Sequence, residues 1–426
     1  AITGEELSDE GLILKFAKRL EGMTFREVLD LGIYSPNAPQ RTYNNKKYKG
    51  GMGALIEERF FGYDANSDER PDFPEAGVEL KTTCFNKKRD GEIAAGERLS
   101  ITMIPYDRDV TDDLYSSHLW TKAKRILLVF YHRDRSVDDY DQVINYVTLF
   151  TPPKEDQRII ADDYRKIIEL VQAGRADELS EGMTTYLGAA TKGSTAEKSF
   201  VTQHYPRIEF DGTKTHARAK KRAFSFKRQY MDYVLHHYVM KQGDDAESIL
   251  PPSSGDCETL DERATRLVNS NIGLTDLELT KRLDIDYSNN KAMWSTLTFR
   301  MLGIRGSKAK EFIKAGISVH AIRVESNGSI RESLPIVPLN FKQVALESEW
   351  ENSDLYKFLE SMRFFFVVYR KKGSRYELAG SFFWSMPVTD IEHGAKQCWL
   401  EARRVLVDGV DIVGKEQNDG SVRYRN

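Results

Sequence analysis

Pro71-Asp72-Phe73-Pro74-Glu75-Ala76-Gly77-Val78-Glu79-Leu80-Lys81 is the stretch on which the reading of this chain turns. Residues 78–83 form a strand by pattern, so Glu79 and Lys81, two apart, project from the same face. Asp72 lies just upstream, where a hairpin brings it beside Glu79. Asp72, Glu79 and the backbone carbonyl of Leu80 make a hard oxygen site suited to Mg²⁺. A cation there polarises a phosphodiester and lowers the pKa of a bound water. Lys81 is then placed to orient or deprotonate that water, or to offset charge on pentavalent phosphorus.

Around this stretch the elements of a mixed α/β domain follow from periodicity. Residues 8–21 predict a helix, with Leu12, Phe16 and Leu20 at four-residue spacing, and residues 24–31 a second with Thr24 as N-cap. Residues 50–61 predict a helix with Met52, Leu55, Ile56 and Phe60 on one face. Residues 99–104 and 143–150 are strand-like. The run RILLVFY over 125–131 is apolar throughout, as in a strand buried on both faces. Residues 156–174 predict a helix closed by Gly174, and residues 230–240 another. Residues 242–258, QGDDAESILPPSSGDCE, hold two prolines, two glycines and five acids and read as a linker.

After the linker the pattern returns. Arg59-Phe60-Phe61-Gly62 recurs as Arg300-Met301-Leu302-Gly303 and Ala76-Gly77-Val78 as Ala315-Gly316-Ile317. The run from Arg125 to Tyr131 recurs from Arg363 to Tyr369. The order is kept and the offset stays between 234 and 241, so we read two tandem copies of one fold. The expected division is 1–241, linker 242–258 and second domain 259–426. Residues 175–240 follow Gly174 in the first copy, whereas only 410–426 follow Gly409, and the chain opens without methionine. The second copy is therefore expected to be incomplete at its C-terminal side.

Composition sets the outer limits. The 426 residues are 40% hydrophobic and 30% charged with a formal net charge of −3, which excludes disorder and histone-like polycations. No run is long and apolar enough to span a membrane, and three distant cysteines suit neither a disulfide framework nor a zinc site, which points to a reducing cytoplasm. Charge is uneven: residues 214–228 hold seven Lys/Arg and no acid, with Phe224 and Phe226 among them. This is either a solvated basic face or a phosphate-contacting surface.

The spacing Pro-Asp, six residues, Glu-x-Lys matches the PD-(D/E)xK nuclease signature. Lys49-Gly-Gly-Met-Gly-Ala-Leu-Ile-Glu57, Pro71-Asp72-Phe73 and Gly77-Val-Glu-Leu-Lys-Thr82 together resemble the MutH family of GATC-specific endonucleases. Ser117-His118, Lys122-x-Lys124-Arg125, Tyr186-Leu187, Lys192-Gly193 and Arg222-x-Phe224-x-x-Lys227 follow in family order. The resemblance covers residues 10–240, and the two-copy plan resembles GATC-cutting type IIE restriction endonucleases, whose second, degenerate MutH-like domain binds effector DNA.

The resemblance implies a PD-(D/E)xK restriction-endonuclease-like fold in two copies, with Mg²⁺ as cofactor and GATC-containing double-stranded DNA as partner. It makes Asp72 and Glu79 metal ligands, Lys81 the catalytic lysine, Glu57 a supporting helical glutamate (with Glu58 its exposed neighbour) and Lys122 a further active-site lysine, with Lys124 at the surface. Thr191, Lys192 and Gly193 fall on the base-reading loop; Lys221, Arg222, Lys227 and Arg228 form the basic DNA-contacting stretch. Gly188 to Ser194 fails the Walker pattern, because Lys192 precedes Gly193. Where the family carries a methylation-sensing tyrosine this chain has Ser225, which implies cutting independent of adenine methylation.

At the same places the second copy reads Thr298 for Glu57, Glu311 for Asp72, Ser318 for Glu79, His320 for Lys81 and Glu360 for Lys122. Those residues do not rebuild the metal geometry, so one active site per chain is expected, and two chains are expected to meet on a palindrome. The alternatives are a MutH-like mismatch-repair nickase and a non-catalytic GATC-binding regulator. The chain lacks the Gly-x-Ser-x-Gly, His-Glu-x-x-His and Rossmann patterns.

Overall fold

The computed structural model describes residues 5–31, 43, 50–64, 69–88, 90–192, 199–251, 258–288, 290–334, 339–409, 413–417 and 422–425. Asp9 caps α1 (Glu10–Ala17) through its side chain, and Thr24 with Glu27 forms a reciprocal capping box on α2 (Phe25–Asp30). The helix expected over 50–61 divides into α3 (Gly51–Leu55) and a wider π-helical segment, Ile56–Phe61, ended by left-handed Gly62. Then come β1 (Glu79–Lys87), β2 (Ile93–Ala95), β3 (Leu99–Met103), α4 (His118–Ala123), β4 (Ile126–His132), β5 (Ile144–Phe150) and α5 (Lys154–Gln172). Short strands follow: β6 (Leu187–Thr191), β7 (Phe200–Thr202), β8 (Arg207–Ile208), β9 (Lys214–Thr215), β10 (Arg218–Lys220) and β11 (Arg222–Phe226), then α6 (Arg228–Tyr233). The last was expected as one helix over 230–240; it passes into a π-helical turn, Val234–Val239.

The first sheet has the order β2-β1-β4-β5, with β1 parallel to β4 and the other pairs antiparallel. Residues Ile126 to Phe130 of β4 are wholly buried, as the apolar run requires. Leu127 and Val129 face the cluster formed with α1–α3, while Ile126, Leu128 and Phe130 face α5. A second sheet, β3-β11-β6, stands beside it. The fully buried Asp163 on α5 anchors that sheet by accepting from the backbone N–H groups of Thr185, Tyr186 and Leu187 at 2.6–2.9 Å.

The second half opens with α7 (Leu260–Asn269), α8 (Asp276–Arg282), α9 (Lys291–Met301) and α10 (Lys310–Ala315), which lead into β12 (Ile317–Val324). After α11 (Phe341–Leu346) and α12 (Asp354–Ser361), β13 (Arg363–Lys372) and β14 (Arg375–Trp384) complete a sheet of order β12-β13-β14. β12 is parallel to β13 and β14 antiparallel to it, the same senses as β1-β4-β5. The register also matches: Glu79 pairs with Ile126, and Ser318 pairs with Phe364. α13 (Lys396–Asp408) follows as α5 does, and a hairpin of β15 (Val413–Glu416) and β16 (Val422–Arg425) comes last.

The two halves share a hydrophobic cluster in which Phe224, Tyr230 and Val234 join Phe312, Ile317 and Phe365. Polar fastenings cross the same boundary. Lys314 and Asp156, each 1% exposed, pair at 2.6 Å, and the ammonium lies 4.6 Å from the Tyr233 ring centroid. Arg222 donates to Glu360 at 2.7 Å, and Arg363 donates to Thr185 at 2.8 Å. The segment expected to be a linker is also held. Glu311 accepts from the Ser248 hydroxyl and from the backbone N–H groups of Ile249 and Leu250, and both of those side chains are buried. Among the described residues no helix is long and apolar enough to cross a membrane.

Candidate active site

Chain geometry gathers the five residues around β1. Phe73 and Val78 exchange backbone hydrogen bonds at 2.9 and 3.2 Å, closing the loop between them. That turns Asp72 back onto the strand, where its Oδ2 accepts from the Leu80 N–H at 2.8 Å. Gly77, at φ 65°, permits the tight return. Glu79 starts β1 and is 1% exposed. Its Oε1 lies 2.5 Å from Lys81 Nζ, and Lys122 Nζ approaches both of its oxygens at 3.3–3.4 Å. Lys122 comes from α4, whose N-terminus is capped by Ser117. Lys81 keeps 22% of its side chain exposed and Lys122 10%, so Lys81 stands at the mouth and Lys122 behind.

Glu57 enters from the π-helical turn. Burial, and then the charge of Asp72, push its carboxyl up to about 7. Asp72 is pushed up to about 6, first by burial and then by Glu79, against the opposing pull of Lys81 and of the Leu80 N–H. Three carboxyl groups thus act on one another in a desolvated space, an arrangement that a divalent cation would relieve. Gly53 borders that space: a Cβ there would be in ordinary contact with Glu57 Oε1, at 4.0 Å, and with Thr82 Oγ1, at 3.9 Å. The Tyr63 and Thr82 hydroxyls are buried without a hydrogen-bond partner among the described residues.

Among the described residues no three His, Cys, Asp or Glu side chains form a closed metal cage. The donor set is an open one: two carboxylates, with the Leu80 carbonyl adjacent. Mg²⁺ suits such a set, because it retains several waters. A cation held here would take Glu79 in competition with Lys81, whose ammonium lies against that carboxylate. The residues therefore fit a hard divalent cation.

The residues expected to touch DNA are not all on one surface. Thr191 pairs with Arg222 across β6 and β11, and Lys192 N–H donates to Lys221 O at 2.9 Å, so these four are neighbours. Lys221 is exposed and Lys192 half-buried. Gly193 lies outside the described residues. Arg222 departs from expectation: it is 5% exposed and spans between Ala189 O, at 2.6 Å, and Glu360. Lys227 departs too, being 2% exposed and donating to Thr184 O at the opposite end of β11. Burial, then Arg363, push its ammonium down to about 8 against Asp163 and Glu181. Arg228 is exposed and donates to Ala95 O at 2.8 Å. Ser225 is fully buried, with its hydroxyl 3.2 Å from Ser100 Oγ, since β11 is the central strand of its sheet. A contiguous basic run in sequence is thus divided: β11 is buried throughout and takes Arg222 with it, while the exposed Lys221 and Arg228 flank the buried stretch.

Glu58 corrects a further expectation. It is fully buried, not exposed, and accepts from the Tyr43 hydroxyl at 2.6 Å, because the wider π-helical turn rotates it inward. Lys124 is exposed as expected. In the second half Thr298 bonds back to Trp294 O at 3.2 Å, Ser318 is exposed, and His320 packs 5.3 Å from the Phe364 ring. Glu311 and Glu360, at the positions matched to Asp72 and Lys122, hold residues 248–250 and Arg222. Sequence reasoning missed these fastenings, and it missed Tyr63 and Thr82; neither hydroxyl sits in a pattern that distinguishes it from a packing residue.

Comparison with known proteins agrees with this geometry. The family model described as DNA mismatch repair enzyme MutH matches residues 61–163, a span that includes Asp72, Glu79, Lys81 and Lys122. The type II restriction enzyme Sau3AI of Staphylococcus aureus is 29% identical over 384 residues, covering 86% of this chain and 76% of its own length. The DNA mismatch repair protein MutH of Vibrio campbellii is 23% identical over 241 residues, 56% of this chain and 99% of its own. That of Pectobacterium atrosepticum is 27% identical over 175 residues, 40% of this chain and 70% of its own. The MutH relatives thus span about half of the chain, whereas the similarity to the type II restriction enzyme continues through most of it.

Proposed function

We propose that the protein cuts double-stranded DNA at GATC, in both strands and 5′ of the G, by Mg²⁺-dependent phosphodiester hydrolysis. The observation that carries this reading is the convergence of Asp72, Glu79, Lys81 and Lys122 at the start of β1. Asp72, Glu79 and the Leu80 carbonyl would hold the cation, which when bound polarises the phosphodiester and acidifies a water. Lys81 lies at the solvent side of Glu79, where an ammonium can orient a water or meet charge developing on phosphorus. Lys122 balances Glu79 from the buried side. The Leu80 N–H fixes the rotation of the Asp72 carboxylate, so that ligand is set before DNA arrives.

Thr191, Lys192 and Lys221 supply the loop edge that would enter the major groove, where a lysine donates to guanine or phosphate. Ser225 is inside the fold, so no side chain at that position tests adenine for a methyl group, and cutting is indifferent to adenine methylation. Residues 1–241 are the catalytic copy and 259–426 a degenerate one that binds effector DNA. One competent site per chain calls for two chains on each palindrome.

The test uses one plasmid prepared with and without adenine methylation at GATC, incubated with the protein in Mg²⁺ or in EDTA. Matching Mg²⁺-dependent fragments from both preparations are expected. Nicked circles alone would favour repair-type nicking, and no cleavage with Mg²⁺ or Mn²⁺ would refute the reading.

A further inference from the structure

Tyr63 follows directly on the turn that carries Glu57. Left-handed Gly62 reverses the chain, and both Gly62 and Tyr63 donate their backbone N–H to Glu57 O, at 3.0 and 3.2 Å. The Tyr63 ring is thereby fixed against Phe73, the neighbour of Asp72, edge-on at 5.7 Å and 82°, and against Phe61 at 6.3 Å. Its hydroxyl is shut off from bulk solvent and has no partner among the described residues. The charges acting on it are those of Asp72, Glu57 and Glu79, in that order.

A buried phenol with no acceptor is destabilising by about 1–3 kcal/mol, so a side chain kept in that state calls for an explanation. None of the three carboxylates is within direct hydrogen-bond reach of this hydroxyl. A water can join a fixed donor to carboxylates whose charges act on it but which it does not reach directly. Packing alone would be met by phenylalanine, as at Phe61 and Phe73.

We propose that Tyr63 is a positioning residue of the cleavage site, its hydroxyl donating to a water held by the Asp72 and Glu57 carboxylates. This inference rests on the proposed metal-dependent reading. When a divalent cation occupies Asp72 and Glu79, that water belongs to its hydration shell, and Tyr63 fixes the orientation of the shell from outside. Hydrogen-bond partners in such outer positions typically change metal affinity or activity by about 10–100-fold.

The experiment measures Mn²⁺ binding to the full chain without DNA, by electron paramagnetic resonance, for the unaltered protein, Tyr63→Phe and Asp72→Asn. Binding is expected in the unaltered protein, lost in Asp72→Asn and weakened about tenfold or more in Tyr63→Phe. The melting temperature of Tyr63→Phe without metal should stay near that of the unaltered protein, since phenylalanine keeps the ring contacts with Phe61 and Phe73. On DNA, Tyr63→Phe should lower kcat and leave KM near that of the unaltered protein. Unchanged Mn²⁺ affinity in Tyr63→Phe, with Asp72→Asn still abolishing binding, overturns the role of Tyr63 alone. Binding that ignores Asp72→Asn overturns the metal reading and this inference with it. A fall in melting temperature with unchanged affinity would make Tyr63 a packing residue.

Discussion

Replacing Lys314 by methionine should strike the joint between the two halves. Lys314 and Asp156 are each 1% exposed, and the Tyr230 hydroxyl donates to the same Asp156 carboxylate at 3.0 Å. Methionine fills the volume of the lysine stem but leaves Asp156 charged and largely uncompensated. Removing one partner of such a buried pair costs about 3–5 kcal/mol. That is a fall of about 10²- to 10⁴-fold in the ratio of folded to unfolded protein. The loss should depend on pH. Burial already raises the Asp156 carboxyl despite Lys314, and without Lys314 it rises further. A raised folded-state value favours the folded form at low pH, and that advantage disappears as pH rises through the folded value. The deficit of Lys314→Met should therefore shrink as pH is lowered.

Urea unfolding at several pH values, followed by circular dichroism and tryptophan fluorescence, measures this. Trp120 reports on the first half, and Trp294, Trp350, Trp384 and Trp399 on the second. Both signals should shift together, because one hydrophobic cluster spans the halves. The double variant Lys314→Met/Asp156→Asn should recover at least about 2 kcal/mol of the single loss, as coupled neighbours do. A single-variant loss below about 1 kcal/mol at neutral pH, with no pH dependence, would refute the reasoning.

Glu79→Gln should abolish Mg²⁺-dependent cleavage while DNA binding persists in a gel-shift assay; loss of binding in a folded variant would argue against a metal-ligand role. Lys192→Ala should weaken the preference for GATC over unrelated DNA more than it weakens overall affinity, measured by competition binding at fixed salt. Lys227, pushed down to about 8 by burial, carries a depressed folded-state value, so stability should rise with pH between about 8 and 10.5 by up to about 3 kcal/mol. Urea midpoints of Lys227→Met across that window should lack this rise. Ser318→Ala should cleave at an unaltered rate in the plasmid assay, since Ser318 is exposed on β12 and remote in role from the carboxylates of the first half.

Much of the candidate site was legible because its geometry is local. The loop from Asp72 to Glu79 is short, and period-two alternation aligns Glu79 with Lys81, so three of the five residues were fixed by spacing and strand geometry. Lys122 lies 43 residues from Glu79, and its place there came from family resemblance, not from spacing. The repeated strands were readable for a similar reason: RILLVFY and RFFFVVY are long apolar runs whose burial follows from composition.

Where reading along the chain went astray, the deciding contacts were distant. Arg222 and Lys227 have the composition of a DNA-facing strand, yet Glu360 and the Thr184 carbonyl bury them. Glu58 has the look of an exposed helical acid until a π-helical turn rotates it onto Tyr43. The segment 242–251 has the composition of a free linker, yet Glu311, 61–63 residues farther on, holds residues 248–250.

By itself the sequence determined the nuclease-type signature, the recurrence of the strand pattern in the second half and the absence there of the Asp, Glu and Lys of the signature, because each depends on residue type at short range or on repetition in order. Only the tertiary structure decided that the two halves share one core, that Glu311 and Glu360 became fastenings, and that Arg222 of the basic run is buried. Those outcomes depend on which groups meet across more than 60 residues of chain, where desolvation and pairing, rather than local propensity, set the result.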